Sequence, residues 1–291
     1  MRKSNFIVLS IIFVASLLGH AQQIRLSGGP DSLRFAVIGD TGTGGKAQHQ
    51  IAGKLAAARA KFPFEFVLML GDNLYGGEAP ADFQKKFEKP YRVLLASGIK
   101  FYATLGNHDD PARQIAYKPF SMKGKRYYSF KPKDGIRFFS LDSTYMDKEQ
   151  LEWLENELKS SGSDWKICFF HHPIYSSGEK HGSNIELRSV LEPLLVKYGV
   201  DLVLSGHEHF YERMKPQKGI DYFIVGSSAK LRKGNIGTTK LTAKGFDRDN
   251  TFMLAEIAED TMNFQAFSRR GETVDFGSFK RAENSRPTTA K

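Results

Sequence analysis

Phe66-Val67-Leu68-Met69-Leu70-Gly71-Asp72-Asn73-Leu74-Tyr75 decides how this chain is read. Its unbroken apolar run is the pattern of a strand buried on both faces, which belongs to a parallel sheet covered by helices. A glycine ends the run and a carboxylate follows directly. The same ending recurs. Leu33 to Ile38 runs into Gly39-Asp40, Lys100 to Leu105 into Gly106-Asn107, Trp165 to Phe170 into His171, and Asp201 to Ser205 into Gly206-His207. One Gly-Asp pair after a strand is an ordinary turn, but five strand ends that all carry oxygen or imidazole ligands are not explained by turns. In an open α/β sheet the carboxyl ends of the strands form one edge, where ligands bind. These residues are therefore expected together.

Helical patterns lie between the strands, at Lys46 to Ala60, around Asp82 to Ala96, and at Ile185 to Tyr198. Tyr127 to Phe130 and Ile136 to Leu141, joined through Asp134-Gly135, read as a hairpin. Asp147 and Gln150 form a capping box for a further helix carrying Leu151, Trp153, Leu154 and Leu158. Tyr222 to Val225, Phe252 to Ile257 and Met262 to Phe267 are strands without helices between them. The chain thus begins as α/β and ends as β. No repeat or linker divides residues 30–270, which read as one domain, and residues 271–291 read as a polar C-terminal tail.

The spacing within the motifs suits metal binding. His207 and His209 stand two apart, so in an extended segment both face one side, about 6.6 Å apart along the chain. That allows one histidine per cation in a site whose two metals lie about 3.5–4 Å apart. Asp72 and Tyr75 are three apart, which places carboxylate and phenol on one face of a helix start or turn. A carboxylate has two oxygens and can bridge two cations.

Taken in order, Asp40-Thr41-Gly42, Gly71-Asp72-Asn73-Leu74-Tyr75, Gly106-Asn107-His108-Asp109, His171-His172-Pro173 and Gly206-His207-Glu208-His209 resemble the motifs of the calcineurin-like metallophosphoesterases. Tyr75, and glycine rather than histidine at position 42, are similar to the purple acid phosphatase branch. Gln114 to Tyr117 and Tyr198 to Val200 look like its small, tartrate-resistant members. The resemblance covers roughly residues 33–230 and implies a four-layer α/β/β/α sandwich with two mixed β-sheets. It implies two metal ions, one of them usually Fe(III), held by Asp40, Asp72, Tyr75 and His209. The second metal, Fe, Zn or Mn, would be held by the bridging Asp72 with Asn107, His171 and His207. His171 is preferred to His172 because the family ligand stands two residues before the proline; His172 remains the alternative. His108 and His181 match the histidines that contact phosphate and serve catalysis, and Glu208 is expected to point away from the metals.

The implied activity is metal-dependent phosphomonoester hydrolysis of the acid phosphatase type. A cation lowers the pKa of bound water, and the resulting hydroxide attacks phosphorus in line while the second cation neutralises a phosphoryl oxygen. Substrates would be phosphorylated small molecules or peptides. The mammalian relatives carry a repressing insertion between a strand ending in Leu-Asp and the next helix. Here only Ser143 to Met146 separate Leu141-Asp142 from Asp147, so no proteolytic activation is expected.

Composition narrows the field further. One cysteine in 291 residues excludes a disulfide-stapled fold and a thiolate zinc site, and Cys168 lies among apolar neighbours. Arg2 and Lys3, the apolar run Phe6 to Leu18 and Gly19-His20-Ala21 have the order of a signal peptide at residues 1–21, hence export to the periplasm or medium. No stable membrane association is expected after cleavage; an uncleaved anchor is the alternative. Loss of residues 1–21 would lower the formal charge from +10 to +8. Eight basic residues against one acid between Pro111 and Arg137 motivate a rival phosphodiesterase or nuclease reading on the same dinuclear site. However, no aromatic platform for single strands is evident. A metal-free scaffold of the same fold is opposed by ligating residues at every expected ligand position. A remoter rival is a dinucleotide-binding oxidoreductase, since Gly42-Thr43-Gly44-Gly45-Lys46-Ala47 satisfies G-x-G-x-x-A between a strand and a helix.

Overall fold

The computed structural model describes residues 23–27 and 29–281. The apolar run and leader expected at residues 1–21 lie outside the described residues, as does the end of the chain from residue 282. Among the described residues, no helix is long and apolar enough to cross a membrane.

Two βαβ series build the two sheets. The first is β1 (Leu33–Ile38), α1 (Lys46–Arg59), β2 (Phe66–Met69), a helical stretch containing α2 (Pro80–Phe83) and α3 (Lys89–Ala96) around a π-turn at Gln84–Glu88, and β3 (Lys100–Ala103). After α4 (Pro111–Ala116) and the hairpin β4 (Tyr128–Lys133) and β5 (Ile136–Ser140) comes the second series. It comprises α5 (Lys148–Ser160), β6 (Trp165–Phe170), α6 (Ile185–Lys197) and β7 (Leu202–Ser205). The rest is β: β8 (Tyr211–Met214), β9 (Asp221–Val225), β10 (Thr242–Phe246), β11 (Thr251–Ala258), β12 (Thr261–Ser268) and β13 (Thr273–Lys280).

The six-stranded sheet runs β13-β12-β11-β1-β2-β3 and the seven-stranded sheet β10-β8-β9-β7-β6-β5-β4. β1, β2 and β3 are parallel, as are β5, β6, β7 and β9, while the outer pairings are antiparallel. Both sheets are therefore mixed, as expected. Strand alternation explains the layers. Phe138, Ile167, Phe169, Leu202 and Leu204 join the large core cluster with β1 and β2, whereas Phe139, Cys168, Phe170 and Val203 meet Leu154, Leu158, Leu187, Leu191 and Leu195 of α5 and α6. Phe35 of β1 meets Phe138 of β5 edge to face at 5.3 Å, which seats one sheet on the other.

Three strands depart from the sequence reading. β8 and β10 were not expected; β10 is half-exposed, has no apolar alternation and is held by pairing with β8. β13 corrects the reading of 271–291 as a polar tail. Thr273–Lys280 pairs along β12, and Asp275 accepts hydrogen bonds from Tyr211 Oη (2.9 Å) and Arg213 Nε (2.8 Å). An edge strand draws its hydrogen bonds from a neighbour, so its own sequence can be polar. The folded unit also begins before residue 30, since the Arg25 amide donates to Gln265 and the Gly29 amide to Glu256.

The capping box is half formed. Asp147 accepts the Gln150 amide at 2.8 Å, but the Gln150 side chain turns instead to the Asp142 amide and to the carbonyls of Asp142 and Tyr145. Arg126 adds ion pairs to Asp142 and Asp147, so the short 142–147 connection is clamped from both sides.

Candidate metal centre

The five strand endings do converge at the carboxyl edges of the two sheets. Their backbone is unusual there: Asp40, Asp72 and His207 all have positive φ, at 54°, 50° and 67°. Non-glycine residues pay for that conformation, and it collects at functional sites. The left-handed turn aims each side chain back across the sheet edge. His207 thus stands in a bend rather than the extended segment its spacing suggested.

Two groups of donor atoms result. In the first, Tyr75 Oη lies 3.0 Å from Asp40 Oδ1 and 3.3 Å from His209 Nε2, and His209 Nε2 is 3.4 Å from Asp40 Oδ1. In the second, His171 Nε2 lies 3.1 Å from both Asn107 Oδ1 and His207 Nδ1, and 3.4 Å from Asp72 Oδ1. Asp72 joins the two, because it also clusters with Asp40 and His209. Donors held at about 2.1 Å around an octahedral cation stand about 3 Å from one another. These separations fit that spacing, and the mixed carboxylate, phenol, amide and imidazole set suits a transition metal.

The electrostatics argue the same way. Asp40 and Asp72 are buried side by side, and burial, then the charge of Asp72, drives the Asp40 carboxyl well above its ordinary range. Burial and Asp40 likewise raise the Tyr75 phenol. Burial pushes His207 down to about 2 and His209 down to about 4, leaving neutral imidazoles with lone pairs to offer. Buried acidic groups that burial and mutual repulsion hold back from ionising, beside imidazoles held neutral, make a cradle that cations would satisfy.

His171 and His172 have different partners. His171 Nδ1 reaches the Leu70 carbonyl at 2.9 Å, which directs its Nε2 into the second group, the arrangement common for a metal-binding histidine. His172 Nδ1 is tied to Ser143 Oγ at 2.9 Å, and its ring lies 4.5 Å from that of His207. His172 also clusters with His171 and His207. His108 and His181 are exposed at the mouth: the His181 ring lies 4.4 Å from His207, and that of His108 lies 5.1 Å from Tyr75. Glu208 does turn away, accepting the Gly182 amide at 2.7 Å and so anchoring the loop that carries His181.

Other contributors have no role in the sequence reading. Asp109, whose carboxyl burial and the charge of Asp72 raise to about 8, accepts the amides of Asn73, Leu74 and Gly106 and so joins two of the site loops. It stood inside a quoted motif, which was its only signal. Lys230 and Arg232 also border the site, from a loop with no periodicity to reveal them. Gly42 shows why the dinucleotide reading fails. A Cβ there would lie 2.0 Å from the Asn73 carbonyl oxygen, and Tyr75 donates its amide to the Gly42 carbonyl. The loop that would cradle a pyrophosphate is filled by the backbone that delivers Tyr75.

Fold and site together define a metallophosphoesterase. Residues 33–211 match the calcineurin-like phosphoesterase family, and the chain belongs to it. The rabbit (Oryctolagus cuniculus) tartrate-resistant acid phosphatase type 5 is 28% identical over 241 residues, covering 69% of this chain and 74% of the relative. Among solved structures, a purple acid phosphatase from yellow lupin seeds superposes with a TM-score of 0.73 at 20% identity, over 89% of this chain and 55% of that one. GAP50, the anchor in the inner membrane complex of Plasmodium, gives a TM-score of 0.77 at 20% identity over 88% and 90% of the two chains. At such identities the structural likenesses speak for the fold alone.

Proposed function

We propose that this protein is a phosphomonoesterase of the purple acid phosphatase type. The observation that carries the reading is the pair of donor groups sharing Asp72, each at octahedral spacing. Asp40, Asp72, Tyr75 and His209 would hold one cation, Fe(III); Asp72, Asn107, His171 and His207 would hold the other, Fe, Zn or Mn. The pair would supply water activation and charge neutralisation at phosphorus. The chain's own residues do the rest. Asp40 and Asp72 provide fixed negative charge, and the Leu70 carbonyl orients His171. His108 and His181, at the open side, orient the phosphate and pass a proton to the departing oxygen as the phosphorus–oxygen bond breaks. Water supplies the oxygen that joins phosphorus, and the products are an alcohol and inorganic phosphate.

The similarity to tartrate-resistant acid phosphatase supports the monoester reading. Half of the basic stretch that motivated a nuclease is occupied: Arg113, Arg126, Lys131 and Arg137 form ion pairs with Asp110, Asp142, Asp147, Asp134, Glu157 and Asp164. Export as a periplasmic or secreted enzyme is the matching proposal for residues 1–21, supported by their charge and apolar pattern. Metal analysis of native protein, followed by turnover of a simple monoester, a bis-ester and single-stranded DNA, tests the reading. Preference for either of the last two would overturn it.

Two results are expected. With iron bound, the protein should be pink to purple through phenolate-to-iron charge transfer. Tyr75→Phe should remove the visible band with a modest change in hydrolysis, because the ring and its packing remain. An unchanged band would exclude Tyr75 from the iron site. Limited trypsin treatment should give no gain in turnover, since the 142–147 connection is short and clamped. A large gain from a cut in that connection would count against this.

A further inference from the structure

The segment after β9 is strung across the site edge. The Ser228 amide donates to the Gly39 carbonyl (3.1 Å), that of Lys230 to the Asp40 carbonyl (3.1 Å), and that of Arg232 to the His209 carbonyl (2.9 Å). Asn250 Nδ2 holds the Lys230 carbonyl from behind. Backbone pinned this closely to two of the donor residues puts the Lys230 and Arg232 side chains at fixed places on the rim. Lys230 Nζ sits 4.4 Å from the centre of the Tyr75 ring and forms no ion pair among the described residues. Arg232 lies between the two sides of the mouth: its amide is bound to the His209 carbonyl, and its Nη1 is 3.7 Å from Glu208, which holds the loop of His181 through the Gly182 amide.

One protein carboxylate, Glu208, pairs with this rim, and it does so from the inner side of Arg232. Glu208 Oε2 is 3.7 Å from Arg232 Nη1, beyond hydrogen-bond reach, and is taken up by Asn235 Nδ2 at 3.1 Å. Arg232 Nη1 is buried and has no hydrogen-bond partner among the described residues. Lys180 adds a further positive charge beside His181. Arg232 Nη1 faces inward, but the Arg232 side chain as a whole stays 23% exposed and Lys230 Nζ has no carboxylate partner among the described residues, so the rim keeps positive charge on its open side for an anion that arrives from outside. The phosphate being cleaved would be met by the cations that the two donor groups hold and by the histidines at the mouth, so this rim is surplus to its charge.

We propose that Lys230 and Arg232 form a second anion subsite that selects phosphate monoesters whose leaving group carries its own negative charge, a carboxylate or a second phosphate. The proposal rests on the phosphomonoesterase reading above. A matched pair of substrates isolates it: phenyl phosphate and 4-carboxyphenyl phosphate, turned over by the metal-loaded protein, by Lys230→Gln, by Arg232→Gln and by the double variant. Glutamine keeps the amides that hold residues 230 and 232. The ratio of kcat/KM for the carboxylated over the plain substrate should fall about tenfold in the double variant, chiefly through KM, and the wild-type ratio should fall with added salt. Equal losses on both substrates would overturn the subsite, because the cations would then serve the cleaved phosphate or the fold. Calorimetric binding of 4-carboxybenzylphosphonate against benzylphosphonate gives the same comparison without turnover. If the two-metal wild type cleaves neither ester, the phosphomonoesterase reading fails, and the phosphonate pair still decides the subsite.

Discussion

Asp72→Asn will leave a folded protein that has lost hydrolysis by about 10³-fold or more, the scale seen when one member of a group acting as a unit is removed. Asparagine is among the few residues that accept a positive φ readily, so the 50° at this position is not a folding obstacle. Its amide oxygen can still take the His108 amide that Asp72 Oδ1 now accepts at 3.0 Å. It cannot supply the negative charge through which residue 72 touches both donor groups. Metal content should therefore fall together with turnover, and metal analysis beside a melting curve separates that from unfolding. A variant that keeps two metals and near-normal turnover would remove Asp72 from the centre.

His181→Ala should lower kcat by about 10²–10⁴-fold, the range for loss of a positioned proton donor, while both metals stay bound. The backbone around His181 does not depend on its ring. The Gly182 amide is held by Glu208, the Glu179 amide by the Asn235 carbonyl, and the Gly178 amide by Ser176 Oγ. The loop should therefore keep its place and simply lose the imidazole. Loss of metal instead would make His181 a ligand, and a small effect on kcat would return it to an ordinary loop histidine.

Much of the site was legible because its signals are local. Five of the seven proposed ligands, Asp40, Asp72, Asn107, His171 and His207, stand just after a strand whose apolar run can be read without knowing its neighbours. Parallel strands then bring such endings to one edge whatever the sheet order. The geometry within the motifs was less legible. The two-residue spacing of His207 and His209 suggested an extended pair facing one way. In the fold His207 turns through a positive φ to meet His171, while His209 meets Asp40 and Tyr75. Backbone strain of this kind is imposed by the surrounding packing and leaves no mark on residue spacing.

The sequence by itself determined the strand-and-helix order of the first two thirds, the kind of chemistry at the strand ends and the family resemblance, because hydrophobic periodicity and ligand type are properties of short segments. Tertiary structure decided the edges and the rim. β8, β10 and β13 are strands because partners supply their hydrogen bonds, not because their own patterns demand it. His171 is set apart from His172 by a carbonyl at residue 70, contributed by the other sheet, and by a serine at residue 143. Lys230 and Arg232 face the site only because their amides are bound to the carbonyls of Asp40 and His209, far earlier in the chain or across a loop. Contacts between distant segments create those environments, and a linear sequence carries no local signal of them.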